Sequence, residues 1–135
     1  DWLSALVCDN LFHRFPNLRV VLLESGVTWL PSLMWRLDKE WKGLRREVPW
    51  VRRYPSDYIR EHIRFTTEPF DAPPGGARLP EIIDHIGSED LLMFASDFPH
   101  RHPGPGPSDL LSALAPDLRR KVTRENAASF YRFDQ

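Results

Sequence analysis

Apolar residues along this chain fall into two rhythms that alternate. Leu3, Leu6, Val7 and Leu11 recur at helical spacing and predict a helix over residues 2–15, ended by Pro16-Asn17. Arg19-Val20-Val21-Leu22-Leu23 is a short β-branched and apolar run that predicts a buried strand ending in Glu24-Ser25-Gly26. Val27, Leu30, Met34, Leu37, Trp41 and Leu44 return to a three-to-four spacing, a long amphipathic helix with Pro31 in its first turn. Pro49 to Pro55 reads as a connector, and Ser56 as the N-cap of a short helix through about Glu61. His62 to Thr67 predicts a second strand, closed by Glu68-Pro69. Residues 71–77 form a Pro/Gly loop by composition, and Leu79 to Ile86 a short helix stopped by Gly87. Leu91-Leu92-Met93-Phe94-Ala95 is a third strand, apolar throughout and therefore expected to be buried on both faces. After a second Pro/Gly loop at 102–107, Ser108 caps a helix, Pro116 starts another, and Thr123 caps a last one through Phe130.

A leading helix and three strand–loop–helix units predict a single α/β domain with a parallel sheet and right-handed crossovers. In such folds chemistry collects at the carboxyl ends of the strands. Three ends are available: Glu24, the Thr67-Glu68 pair, and Asp97 with His100 close behind. A carboxylate so placed can ligate a metal and take a proton from metal-bound water. Each residue also has a structural reading. Asp97 could accept backbone N–H bonds in the turn before Pro99. Glu24 could cap the helix beginning near Thr28 or bind an arginine. His100 and His102, in a Pro/Gly-rich loop, could simply be exposed. His13, His62 and His85 lack metal-ligand spacing and read as surface or helix-end residues. Asn126 reads as a helix-borne amide that hydrogen-bonds a neighbouring loop.

Composition narrows the function classes. The formal net charge of -1 offers no global field for nucleic acid or membrane. Residues 36–64 hold nine Lys/Arg and five Asp/Glu, interleaved with Trp41, Trp50, Tyr54 and Tyr58 and preceded by Trp35. That stretch could contact nucleic acid, but interspersed acids and a helical apolar face favour the solvated outer side of a helix. No apolar run approaches a membrane span, and no signal-peptide pattern opens the chain. Cys8, the single cysteine, excludes an internal disulfide and fits a reducing, cytoplasmic compartment. No phosphate loop, Cys-x-x-Cys pair or nucleophile elbow is present. The opening at Asp1 rather than Met reads as the middle of something longer, or as a processed chain.

Four segments in order carry a resemblance: FPNLRVVLLESGVTWLPSLMWRLDKEWKGLRREVPW, YPSDYIREHIRFTTEP, IIDHIGSEDLLMFASDFPH and RRKVTRENAASFYRF. With them the chain resembles the amidohydrolase-related metal-dependent hydrolases, the branch that includes aminocarboxymuconate-semialdehyde decarboxylase and the aromatic-acid decarboxylases. The resemblance implies the C-terminal part of a TIM (β/α)8 barrel, strands six to eight with their helices. It places Asp97 on the strand-eight aspartate, a metal ligand that helps activate water or substrate. Glu24 falls where decarboxylases of this group carry a strand-six histidine, so hydrolysis of a small-molecule substrate is expected ahead of decarboxylation. His100 is expected beside the mouth, and the implied cofactor is a divalent metal, zinc first. The paired ligands of strand one and the histidine of strand five have no counterpart here. A barrel needs about 250 residues and catalytic zinc about three protein ligands. The chain alone is therefore expected to be inactive, with two open strand edges, until a missing N-terminal half or a homo-oligomer completes it. A truncated product or an assembly module without catalysis is the alternative.

Overall fold

The computed structural model describes residues 2–69, 78–100 and 107–133. Its elements are helices α1 (Trp2–Cys8) and α2 (Leu11–Arg14), strand β1 (Val20–Leu22), helices α3 (Leu30–Leu44) and α4 (Pro55–His62), strand β2 (Ile63–Thr66), helix α5 (Leu79–Ile86) and strand β3 (Leu92–Met93). Helices α6 (Pro107–Ser112) and α7 (Pro116–Arg120), a π-helical turn (Lys121–Glu125) and α8 (Asn126–Tyr131) complete them. The strands form one parallel sheet in the order β1-β2-β3. Val20 to Leu22 lie opposite Ile63 to Phe65, and Phe65 and Thr66 lie opposite Leu92 and Met93. The expected α/β class with three parallel strands is present. The loops at 71–77 and 102–107 and the side chain of His102 lie outside the described residues, save that α6 begins at Pro107.

The core forms where the two rhythms meet. Ile63 and Phe65 of β2, Ile59 of α4, Leu30 of α3 and Leu91 are fully buried. Each such side chain contributes roughly 1.5–3 kcal/mol on leaving water. Trp41 anchors α3 by donating its indole N–H to the Val51 carbonyl at 3.0 Å. Gly87 ends α5 in the left-handed conformation (φ 70°), its N–H bonded to the Ile83 and Asp84 carbonyls. Phe130 of α8 lies between two guanidinium groups, Arg19 at 5.2 Å and Arg64 at 4.7 Å from its ring centre. Arg19 also donates to the Phe130 carbonyl, and burial lowers the Arg64 pKa.

Several expectations are corrected. The helix over 2–15 breaks at Asp9-Asn10, where Asn10 turns left-handed (φ 68°) and starts α2 afresh. This turn lets Phe12 bury against His62, the ring centres 4.4 Å apart. His62 is thus a buried helix-end residue, not a surface one, and its Nδ1 meets the Leu18 carbonyl at 2.9 Å. Ser56 does not cap α4. Pro55 leads that helix, and Ser56 gives both its N–H (2.9 Å) and its hydroxyl (2.7 Å) to Asp38. α6 begins one residue before the expected cap Ser108. Thr123 sits inside the π-turn and bonds back to the Arg119 carbonyl at 2.8 Å, because α7, the π-turn and α8 run on without a break. β1 is only half-buried, with Leu23 exposed beyond it. β3 pairs over two residues rather than five, and Phe94 is already 38% exposed.

Candidate active site

Because the strands are parallel and consecutive, their carboxyl ends share one edge. Adjacent strands lie about 4.8 Å apart, so the ends of β1 and β3 are separated by roughly 10 Å. Glu24 leaves β1 with φ 53° and Asp97 follows β3 with φ 52°. Both are non-glycine residues in the left-handed region, at a cost of about 1–2 kcal/mol each. Such strain persists where the surroundings over-determine it, and it gathers at functional sites.

Two neighbouring threonines bond the chain at Glu24 and just before Asp97. The Glu24 N–H donates to Thr66 Oγ1 at 3.3 Å, and that hydroxyl donates to the Glu68 carbonyl at 3.1 Å. Thr67 Oγ1 accepts from the Ala95 N–H at 3.0 Å and donates to the Ala95 carbonyl at 3.2 Å. Thr66 and Thr67 are both buried, and they extend the ladder to either side after backbone pairing stops. The hydroxyl of Thr67 is thereby engaged in structure. Glu68, the other half of that candidate pair, is buried. Sequence reasoning missed the stitching role. Two consecutive threonines at a strand end, just before a proline, were the available signal.

Asp97 and His100 meet. The His100 N–H donates to the Asp97 carbonyl at 2.8 Å, closing a turn, and His100 Nδ1 lies 3.3 Å from Asp97 Oδ1. The Asp97 side chain is 25% exposed and that of His100 is 71% exposed. With its proton on Nδ1, the imidazole donates to the carboxylate and turns Nε2 toward solvent as a proton acceptor. Glu24 is exposed. It neither caps a helix, since Trp29 precedes α3 without a side-chain bond, nor pairs with an arginine among the described residues. Asn126 bonds a neighbouring loop, as expected, and β3 as well: its Nδ2 donates to the Glu89 carbonyl and to the Leu92 carbonyl at 2.8 Å each.

Among the described residues no group of three or more His, Cys, Asp or Glu side chains is gathered to hold a metal ion. Asp97 and His100 are of the donor types that divalent metals take, and they amount to part of a ligand set. An open apolar hollow lined by Leu11, Phe15, Pro16 and Leu18 lies at the amino ends of the strands, away from all three carboxylates. No helix among the described residues is long and apolar enough to cross a membrane.

The sequence pattern of a family described as amidohydrolase matches residues 2–133. The solved 5-carboxyvanillate decarboxylase of Sphingomonas paucimobilis is similar over 96% of this chain and 38% of its own, with 28% identity and a TM-score of 0.72. An amidohydrolase of Mycobacterium avium subsp. paratuberculosis K-10 is similar over 96% of this chain and 32% of its own, with 25% identity and a TM-score of 0.74. A dihydroxybenzoic acid decarboxylase of Polaromonas, solved with bound manganese and the inhibitor 2-nitroresorcinol, covers 98% of this chain and 39% of its own. Its identity is 24% and its TM-score 0.71, a likeness of fold. No curated protein matches by sequence. The chain thus spans between 32% and 39% of the length of these structures. Its open three-stranded sheet corresponds to part of a TIM-barrel amidohydrolase.

Proposed function

The chain belongs to the amidohydrolase family, and from that premise we propose that it forms the Asp97 side of a divalent-metal site in a complete barrel. The reaction is hydrolysis of a small organic substrate. The observation that supports this reading is the pair of left-handed carboxylates, Glu24 and Asp97, beyond the ends of β1 and β3: Thr66 holds the Glu24 N–H, and Thr67 holds Ala95, two residues before Asp97. A bound divalent cation supplies Lewis-acid polarisation and a water of lowered pKa. Asp97 would hold the cation and accept the proton of the attacking water. His100, against Asp97 Oδ1, holds that carboxylate and offers Nε2 for proton transfer. Glu24 orients substrate at the neighbouring strand end. Zinc and manganese are both candidates, the second because the Polaromonas structure holds it.

A second reading is decarboxylation of a small aromatic acid. The 28% identical Sphingomonas protein, a 5-carboxyvanillate decarboxylase, favours it. Glu24 argues against it, because an exposed carboxylate at the mouth repels a carboxylate substrate. The deciding experiment supplies the assembled barrel with Zn2+ or Mn2+ and assays amide and ester hydrolysis beside CO2 release from hydroxybenzoates. Hydrolysis lost in Asp97→Asn is the expected outcome. CO2 release without hydrolysis selects the second reading. Full activity in Asp97→Asn removes Asp97 from the site. In equilibrium dialysis the chain alone is expected to bind no stoichiometric metal, and stoichiometric binding through Asp97 would show the ligand set to be complete without further strands.

A further inference from the structure

The outer edge of β3, though no strand pairs with it among the described residues, carries two hydrogen bonds. Parity shows which backbone groups face it. The Phe65 N–H bonds to the Leu91 carbonyl and the Thr67 N–H to the Met93 carbonyl, so residues 91 and 93 face β2. Leu92 and Phe94 therefore face outward, where a further strand would pair. Both are engaged by the last helical segment. Asn126 Nδ2 donates to the Leu92 carbonyl at 2.8 Å, and the Phe94 N–H donates to the Val122 carbonyl at 2.9 Å.

The second bond depends on the π-turn. In a regular α-helix the Val122 carbonyl would accept the N–H of Asn126, four residues on. Here the Asn126 N–H bonds instead to the Lys121 carbonyl, five residues back. The Val122 carbonyl is thus released toward Phe94, while Val122 itself stays fully buried. The same shift sets the Asn126 amide, 4% exposed, across the Glu89 and Leu92 carbonyls. Lys121 adds an outer contact to Glu89 (2.9 Å) and Asp90 (3.6 Å).

We propose that the π-turn and Asn126 are a positioning device for Asp97: through two bonds to the outer side of β3 they fix the left-handed turn of the chain at Asp97. Thr67 clamps the inner edge at Ala95, the π-turn clamps the outer edge at Phe94, and Asp97 stands three residues beyond the outer clamp. The functional part of this inference rests on the reading of Asp97 as a site carboxylate. Its structural part does not.

The test uses the chain itself. A π-turn amounts to one residue inserted in an α-helix, so deletion of Thr123 restores α geometry and returns the Val122 carbonyl to the helix. Asn126→Ala removes the second clamp and is the companion if the deletion fails to fold. A left-handed residue gives a strong intraresidue HN–Hα cross-peak in NMR spectra. Both Asp97 and Glu24 show one in the parent. In either variant the Asp97 peak weakens and Phe94 amide exchange speeds at least about tenfold, the change expected for about 1.4 kcal/mol. The Glu24 peak, on β1, stays as the internal control for folding. An unchanged Asp97 peak and Phe94 exchange in a folded variant overturn the proposal. In the assembled barrel, Asn126→Ala lowers Mn2+ affinity about 10–100-fold, as loss of an outer support does. Unchanged affinity in Asn126→Ala overturns the positioning role. Unchanged affinity in Asp97→Asn overturns the functional reading instead, and the NMR result still decides the clamp.

Discussion

Replacing Thr67 by valine tests whether a side chain does take over from the backbone at the end of the sheet. Valine keeps the branched shape and removes only the hydroxyl. That hydroxyl holds two bonds, one from the Ala95 N–H at 3.0 Å and one to the Ala95 carbonyl at 3.2 Å. A hydrogen bond contributes about 0.5–1.5 kcal/mol net, so losing both costs about 1–3 kcal/mol. The added methyl of valine returns up to about 0.8 kcal/mol if it is accommodated. The net loss is then about 1–2 kcal/mol, a fall in Tm of roughly 4–8 °C for a chain of this size. Thr67→Ser is the control, because it loses a methyl but keeps the hydroxyl. Differential scanning calorimetry reads the stability, and amide exchange at Ala95 reads the bond. Valine exposes the Ala95 N–H to exchange and serine keeps it protected. If Ala95 exchanges equally slowly in the valine variant, the threonine is not what holds this strand end, and the account of how Asp97 is approached fails.

Two further outcomes follow from the same structure. Glu24→Gly relieves a left-handed backbone (φ 53°) and raises stability by up to about 1 kcal/mol, while it lowers turnover in the assembled barrel. Retained turnover would return Glu24 to a surface role, and lost stability would contradict the strain. Burial, followed by the neighbouring charge of Asp9, raises the Cys8 thiol pKa above its ordinary value. The folded state therefore holds that proton to higher pH than the unfolded chain, and stability declines as pH rises through the ordinary thiol range and beyond. Iodoacetamide at pH 8 modifies Cys8 more slowly in the folded protein than in denaturant, and equal rates would contradict the shift.

The hydrophobic rhythm made much of the fold legible. It placed three strands in parallel order and the long helix α3, and it marked Gly87 as the stop of α5, because burial is what such patterns encode. Strand length was less legible. The run Leu91–Ala95 is apolar throughout, yet pairing ends at Met93 because the partner β2 ends at Thr66. Burial of His62 depended on a turn at Asn10 that brings Phe12 against it, a long-range contact without local sign. The candidate carboxylates were visible as strand-end residues, and so was the proximity of His100 to Asp97. Their left-handed backbones were not, since apolar spacing carries no information about the sign of φ. The π-turn was hidden for a related reason: Pro116 and Thr123 each read as starts of separate helices, whereas the chain runs through both. The two bonds from the last helical segment to β3 followed from that turn and went unforeseen with it.

The guanidinium pair around Phe130 has a consequence for how the protein is made. Arg19 stands just before β1 and Arg64 within β2, yet both rest on a ring that is synthesised long after them. Val122 and Asn126 likewise close β3 only once they exist. The strands can therefore leave the ribosome in order and still find no finished sheet. The contacts of this last segment with Arg19, Arg64 and β3 can form only after Phe130 clears the exit tunnel. Nascent chains stalled short of Phe130 should therefore be more sensitive to protease than the released chain.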